Sequence, residues 1–338
     1  MRQMFKEMSA LLNAGKDMVL VTVIASSGST PRGAGARMLI ADTGRVCGTI
    51  GGGAVEYRSE HIAAQVLKDK CSGEHDFTLT KDDVQNLGMI CGGAVNVFFR
   101  YIGANDAETI AICEKAEELF AHGDDLWLLS DIGNGGSLGL YCPKQGFIGI
   151  DAPEWLSTRL SRHPERVIQD GRDIYAEQIN SSGRVYVFGC GHVAQELVPV
   201  LSHVGFRCVA LDDRAEFAKR ELFPTAEEVM LIDFEHISDY ITVTEEDYAC
   251  VMTRGHAFDA VVQAQMLQTP ACYIGVIGSA AKKAGVYAKL KEEYGFADEV
   301  FQRINSPIGL AIKAETPAEI AISIAGEMIE LRARRNAK

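Results

Sequence analysis

Several groups of residues have the types and spacing to do chemistry. Gly189-Cys190-Gly191-His192-Val193-Ala194 is a G-x-G-x-x-A turn, and Asp212 follows about 20 residues later. In such a pattern the first glycine allows a tight turn and the second lets backbone approach a phosphate. The alanine lets helix and strand pack closely, and the acid can meet a ribose hydroxyl. His192, at the helix start, is a neutral donor for that phosphate or simply a helix-terminal histidine. Cys190 lies where a helix N-terminus favours thiolate, or it is a small residue that fits the turn. A second glycine turn, Gly51-Gly52-Gly53, presents N–H groups at a helix start, a geometry that binds anions. Arg32 and Arg37 in the preceding loop could add bidentate contacts to phosphate or carboxylate; the alternative is a plain tight turn with solvated arginines.

Cys91-Gly92-Gly93 sets a thiol beside glycines, so its backbone can approach a ligand closely. It could touch a metal or carry sulfur if its pKa is lowered, or be a buried structural thiol. His256 and Asp259 could form an acid/base pair, or Asp259 could cap the following helix. Ser279 is a candidate N-cap and, with His256, a candidate cofactor contact from the loops after the strands. No Ser/His/Asp order, H-E-x-x-H or EF-hand pattern is present, so neither hydrolase nor zinc chemistry is assigned.

These residues need elements to position them. Arg184–Phe188 reads as a buried parallel strand, a helix follows from Val193, Gly205 stops it, and Arg207–Leu211 is a second strand ending at Asp212. Strand, turn, helix, strand and acid in that order predict a Rossmann-type βαβ unit. Further strands at 227–232, 248–252 and 271–277 alternate with helices at 258–267 and 280–294, which predicts a parallel sheet. Loops after strands then gather at the carboxyl edge: 189–194, 212–214, 253–259, 278–283 and 306–310. The last helix opens on Thr316-Pro317-Ala318-Glu319, a capping box with proline at the first helical position.

Upstream, strands are expected at 18–25, 38–41, 46–50, 77–79, 95–101, 126–130, 138–142, 146–150 and 174–179. Helices are expected at 57–70 and 106–122, with a short one at 154–160. Asn180-Ser181-Ser182-Gly183 is turn chemistry and the expected domain boundary. The fold class is α/β: an N-terminal domain over 1–182 and a Rossmann-like, doubly wound C-terminal domain over 183–338.

The chain has 338 residues, enough for two domains, and 47% hydrophobic residues can build cores for both. A net charge of −13 argues against a nucleic-acid partner. No apolar run approaches the roughly 20 residues of a membrane span, and the charged, amphipathic N-terminus is not a secretory signal, so a cytoplasmic protein is expected. Nine scattered cysteines without a C-x-x-C argue against a disulfide framework or structural zinc.

Four segments carry a resemblance: GSTPRGAGARM (28–38), GTIGGGAVE (48–56), GCGHVAQEL (189–197) with LDDR (211–214), and SPIGLAIKAETPAEIAISIAGE (306–327). CGG (91–93), TRGHAFD (253–259) and YIGVIGSAAKKA (273–284) support it. Together they resemble the XdhC/CoxI family of accessory proteins for molybdenum hydroxylases such as xanthine dehydrogenase. Where relatives often have GSRRKR, this chain has Gly278-Ser279-Ala280-Ala281-Lys282-Lys283.

The resemblance implies a carrier without turnover of its own. It would bind molybdenum cofactor (molybdopterin or its dinucleotide form), assist its sulfuration, with a cysteine desulfurase as a further partner, and hand it to an apo-hydroxylase. A homodimer is expected. The cofactor would lie between the domains, against Gly51–Glu56 and Cys91–Gly93 on one side and Gly189–His192 on the other. Cys91 would be the molybdenum contact, and Glu56 would meet pterin nitrogens or be only a first-turn acid. The competing class is an NAD(P)-dependent oxidoreductase, for which Asp212 would favour NAD by repelling a 2′-phosphate.

Overall fold

The structure, a computed structural model, describes residues 1–28, 30, 32–78, 93–254, 256–278 and 280–336; for 256, 257, 280, 281 and 336 only the backbone is described. The chain divides into two compact units, Met1–Ser181 and Ser182–Lys338.

The first unit begins with α1 (Arg2–Asn13), then β1 (Met18–Gly28), β2 (Arg37–Ala41), β3 (Gly44–Thr49), α2 (Gly53–Asp69), β4 (Gly73–Thr78) and β5 (Gly93–Ile102). These strands form an antiparallel sheet in the order β3-β2-β1-β5-β4. The central strand β1 is apolar from Met18 to Val21 and again at Val23 and Ile24 because both faces are covered. Val19, Val21 and Val23 pack under α2, and Met18 and Leu20 pack with α1 and the next helix. That helix is α3 (Ala107–His122), followed by β6 (Leu126–Asp131), β7 (Ser137–Cys142), β8 (Gly146–Ile148), β9 (Glu165–Gln169) and β10 (Arg172–Asn180). They make a second antiparallel sheet, β8-β7-β6-β10-β9.

Strand β9 was not among the expected elements. It is an edge strand with Val167 inside and Ile168 71% exposed, so its sequence has no clean apolar alternation to read. Helix α2 starts four residues earlier than its apolar spacing suggests, because three glycines at φ 119°, 75° and 63° carry the chain directly into it.

The second unit runs β11 (Arg184–Phe188), α4 (His192–His203), β12 (Arg207–Asp212), β13 (Glu228–Leu231), β14 (Tyr248–Val251), α5 (His256–Leu267), β15 (Tyr273–Val276), α6 (Ala280–Tyr294), β16 (Ile304–Asn305) and α7 (Pro317–Asn336). All six strands are parallel, in the order β13-β12-β11-β14-β15-β16. This is the doubly wound Rossmann order, reversing between β11 and β14. Alternate residues of β11 face opposite cores. Val185 and Val187 meet α4 and α7, whereas Tyr186 and Phe188 meet the side carrying α5 and α6. The capping box of α7 is formed: Glu319 accepts from the Thr316 N–H at 3.0 Å, and its own N–H donates to the Thr316 hydroxyl at 3.3 Å. No helix among the described residues is long and apolar enough to cross a membrane.

Candidate functional site

In a doubly wound sheet, ligands bind at the carboxyl ends of the strands where the order reverses. Here that point lies between β11 and β14, and the turn 189–192 occupies it. Gly189 has φ 103°, and a Cβ there would run into the Met252 carbonyl at the end of β14. Its N–H donates to the Leu211 carbonyl at 2.7 Å. Glycine at 189 is therefore demanded by the protein itself.

Gly191 is different. Its φ of −73° and ψ of −172° suit any residue, and an added Cβ would have nothing within 4 Å. It is the N-cap of α4, and no side chain caps it. A residue without a side chain, facing open space at an uncapped helix start, leaves backbone donors accessible to an anion. His192 is exposed at the first position of α4.

Asp212 is fully buried, which corrects the expectation that it meets a ribose. It accepts the Cys190 N–H at 2.7 Å and the Arg214 N–H at 3.0 Å, and it grips the Arg214 guanidinium through both oxygens, at 2.8 and 3.0 Å. Burial alone would raise its pKa. The hydrogen bonds from Arg214 and from the two backbone N–H groups outweigh that and hold the carboxyl below its usual range. Asp212 thus braces the glycine turn from the neighbouring strand.

The exposed acid at this edge is the next residue, Asp213, whose pKa partial burial raises, with the charge of Asp212 adding to the rise. Arg254, also exposed, stands one residue past Thr253, whose Cα lies against Gly189. Neither was a candidate site residue from the sequence, where Arg254 stands only within TRGHAFD; LDDR offers two adjacent acids, and only burial separates them. The Cys190 thiol is buried, and burial with the nearby Asp212 charge pushes its pKa up to about 12, so it is a protonated packing residue.

Two family models match this chain: the XdhC and CoxI family over residues 11–78 and the XdhC Rossmann domain over residues 185–328. The chain belongs to the XdhC/CoxI family. It is 26% identical over 339 residues to a protein of Bacillus subtilis (strain 168) described as a probable xanthine dehydrogenase subunit, covering 97% of each chain. It is 22% identical to the uncharacterized protein YqeB of Escherichia coli (strain K12), over 97% of this chain and 46% of that protein, so it spans less than half of that relative. A crystal structure titled as a xanthine dehydrogenase from Bacillus halodurans superposes with a TM-score of 0.78 at 22% identity, covering 98% of this chain and 96% of that one. That likeness shows the shared fold.

The other glycine turn, within the N-terminal family match, is closed from inside. Glu56 is buried in the first turn of α2 and accepts from the Ile50 N–H at 2.9 Å and the Gly52 N–H at 3.2 Å. It also accepts from the Thr49 hydroxyl and pairs with Arg45. The Gly51 N–H donates to the Thr49 hydroxyl at 3.1 Å. Burial pushes the Glu56 pKa upward, but the Thr49 hydroxyl, the two N–H groups and Arg45 outweigh it, and the net shift is downward. The anion expected on this turn is the protein's own carboxylate. Of the two sequence readings, Glu56 follows the first-turn acid.

Arg37 is likewise turned inward, in β2 rather than in the loop. It is 5% exposed, pairs with Glu177 of β10, and donates from Nε to the Thr22 hydroxyl at 3.2 Å. Glu177 also accepts the Tyr175 hydroxyl at 3.0 Å. Nothing local in the sequence announces a partner 140 positions away. Arg32 is exposed, and Gly93 opens β5 opposite Gly28. Cys91, Gly92 and Ser279 lie outside the described residues, as does the side chain of His256. Asp259 accepts the Thr253 hydroxyl at 2.5 Å.

Proposed function

We propose that this chain is an accessory protein of a xanthine dehydrogenase-type molybdenum hydroxylase, binding molybdenum cofactor and delivering it, after sulfuration fed by a cysteine desulfurase, to the apo-hydroxylase. Family membership supports the accessory role. The observation that carries the binding part is Gly191, a glycine in an ordinary conformation facing open space at the uncapped start of a 12-residue helix. The donor set there suits the phosphate end of the cofactor: backbone N–H groups at the start of α4, the exposed His192, and Arg254 on the neighbouring loop.

When bound, the cofactor supplies the redox metal that the hydroxylase uses. This chain's residues do the holding. Asp212 fixes the turn through the Cys190 N–H, so the remaining donors need no rearrangement to receive an anion. The buried, protonated Cys190 is unsuited to ligate metal at this turn, and Cys91 remains the candidate contact.

The test is the ligand retained by protein purified from a molybdate-replete host, identified by mass spectrometry, together with activation of an apo-hydroxylase. Pterin phosphate should co-purify. Gly191→Val should lower retention at least about tenfold while the fold persists, and Cys91→Ala should impair activation. Recovery of NAD(H) in place of a pterin would support the oxidoreductase reading. Full retention by Gly191→Val would remove the Rossmann turn from the site.

A further inference from the structure

At the edge of the first sheet, a cavity of about 360 Å³ opens between α2 and the edge strand β4. Its floor is Phe77, buried in the core under α2, with Ile62 packed against that core. Four rings line it in two pairs. Tyr57 and His61, one turn apart on α2, have ring centroids 4.4 Å apart. His75 and Phe77, alternate residues on one face of β4, have centroids 4.6 Å apart. Tyr57 is 61% exposed, and both histidines are exposed, so aromatic surface faces solvent here. The clasp of Glu56 on the preceding turn fixes the start of α2, one residue before Tyr57.

The polar atoms restrict what fits. The Tyr57 carbonyl can only accept, so His61 Nδ1, 2.8 Å away, carries the hydrogen and donates to it. The neutral ring then keeps Nε2 as an acceptor. The Tyr57 hydroxyl can donate or accept. Of the lining residues, Arg58 and Asp76, both exposed, bring one fixed charge of each sign, so the pocket selects neither an anion nor a cation. A purely apolar ring would strip water from these groups without pairing them. A phosphate would meet Asp76 as well as Arg58.

We propose that this pocket binds a flat heterobicyclic ring whose rim carries both N–H donors and acceptors, the chemistry shared by pterins and purines. The ring stacks on Tyr57, and a rim N–H donates to His61 Nε2. The volume lies near the lower end of the roughly 300–1,000 Å³ of small-molecule pockets, which suits one bicyclic ring rather than a whole dinucleotide. As a pterin, the ligand is the ring of the cofactor, and that source alone rests on the proposed carrier role. As a purine, it belongs to the substrate class of a xanthine dehydrogenase-type hydroxylase and binds whether or not the chain carries cofactor.

The experiment is equilibrium dialysis of the full chain against neopterin and, separately, hypoxanthine. At least one should bind saturably, with a Kd below about 1 mM. Tyr57→Ala should raise that Kd about tenfold through lost stacking, and Tyr57→Phe, which keeps the ring, by less than about threefold. His61→Ala should raise it about fivefold. These side chains are exposed, so the thermal midpoint should not move. Tighter neopterin assigns the cofactor's ring to the pocket, and tighter hypoxanthine assigns a purine. Failure of both to bind, or binding indifferent to Tyr57→Ala and His61→Ala, would overturn the proposal. Binding here by protein that retains no pterin from a molybdate-replete host would leave this site standing and remove the carrier role.

Discussion

Two strand–glycine–helix turns of this chain look alike as strings of letters and end in opposite states. In the first unit, Gly51–Gly53 folds around Glu56, which takes the N–H groups of Ile50 and Gly52 and neutralises Arg45. In the Rossmann unit, the acid comes from the next strand: Asp212 takes only the Cys190 N–H of the turn and leaves Gly191 facing open space. A glycine turn becomes an anion site only where the protein has not supplied the anion itself. Glycine alone does not distinguish the cases: φ requires it in the first turn, whereas at Gly191 the backbone is ordinary and an added Cβ would meet nothing within 4 Å.

Glu56→Ala attacks the closed turn and should have the largest effect. It leaves the Arg45 charge and two inward N–H groups without their acceptor, and should destabilise the first unit by about 3 kcal/mol, softened by the half-exposed Arg45. Urea unfolding of the full chain would measure it, while ligand retained per folded protein should stay constant. If retention fell with stability intact, the first turn would be a ligand site after all.

At the open turn, the two glycines should separate. Gly189→Ala forces a side chain into positive φ and against the Met252 carbonyl, and should cost about 2–3 kcal/mol of stability. Gly191→Ala should cost less, about 0.5–1 kcal/mol, which is the ordinary N-cap preference for glycine over alanine, since alanine meets no atom there. Equal losses at both positions, read from denaturant midpoints, would erase the contrast drawn between them.

Asp212→Asn tests the brace and gives a pH signature. The folded pKa of Asp212 is lowered, so its contribution is complete above the ordinary carboxylate value near 4 and is lost as pH falls through the lower folded value. The stability gap between wild type and Asp212→Asn should be about 2 kcal/mol at pH 7 and should shrink below about pH 4. A gap independent of pH would mean that the charge of Asp212 contributes little.

Cys190→Ala should have the smallest effect, below about 1 kcal/mol, with ligand retention preserved. In the folded protein at pH 8, iodoacetamide followed by peptide mapping should label the exposed Cys71 and spare Cys190, whose thiol titrates only near 12. Rapid labelling of Cys190 would show an accessible thiolate and reopen a chemical role at the turn.

Local pattern carried most of the second unit. Its central strands are buried on both faces, so Arg184–Phe188 and Arg207–Leu211 read as apolar runs, and glycine and capping residues punctuate the helices. The βαβ unit, its turn and the start of α7 were legible because each depends on residues within a few positions of one another. Strand β9 was not legible, since an edge strand with a single buried side chain leaves no periodic trace.

Which polar residues face a ligand was decided by packing. Thr49, Ile50 and Glu56 are close enough in sequence that the closed turn is within reach of local reasoning, and a first-turn acid is one of the two readings that Glu56 allows. Arg37 lost its freedom to Glu177, 140 positions away on the second sheet, and Asp212 lost its carboxylate to Cys190 across two parallel strands. The sequence by itself determined which segments become strands, helices and glycine turns, because those preferences are set by backbone sterics and by period. Only the tertiary structure decided which acceptors the N–H groups of each turn meet within the protein, because hydrogen bonds are allotted to whatever donors and acceptors folding brings within about 3 Å.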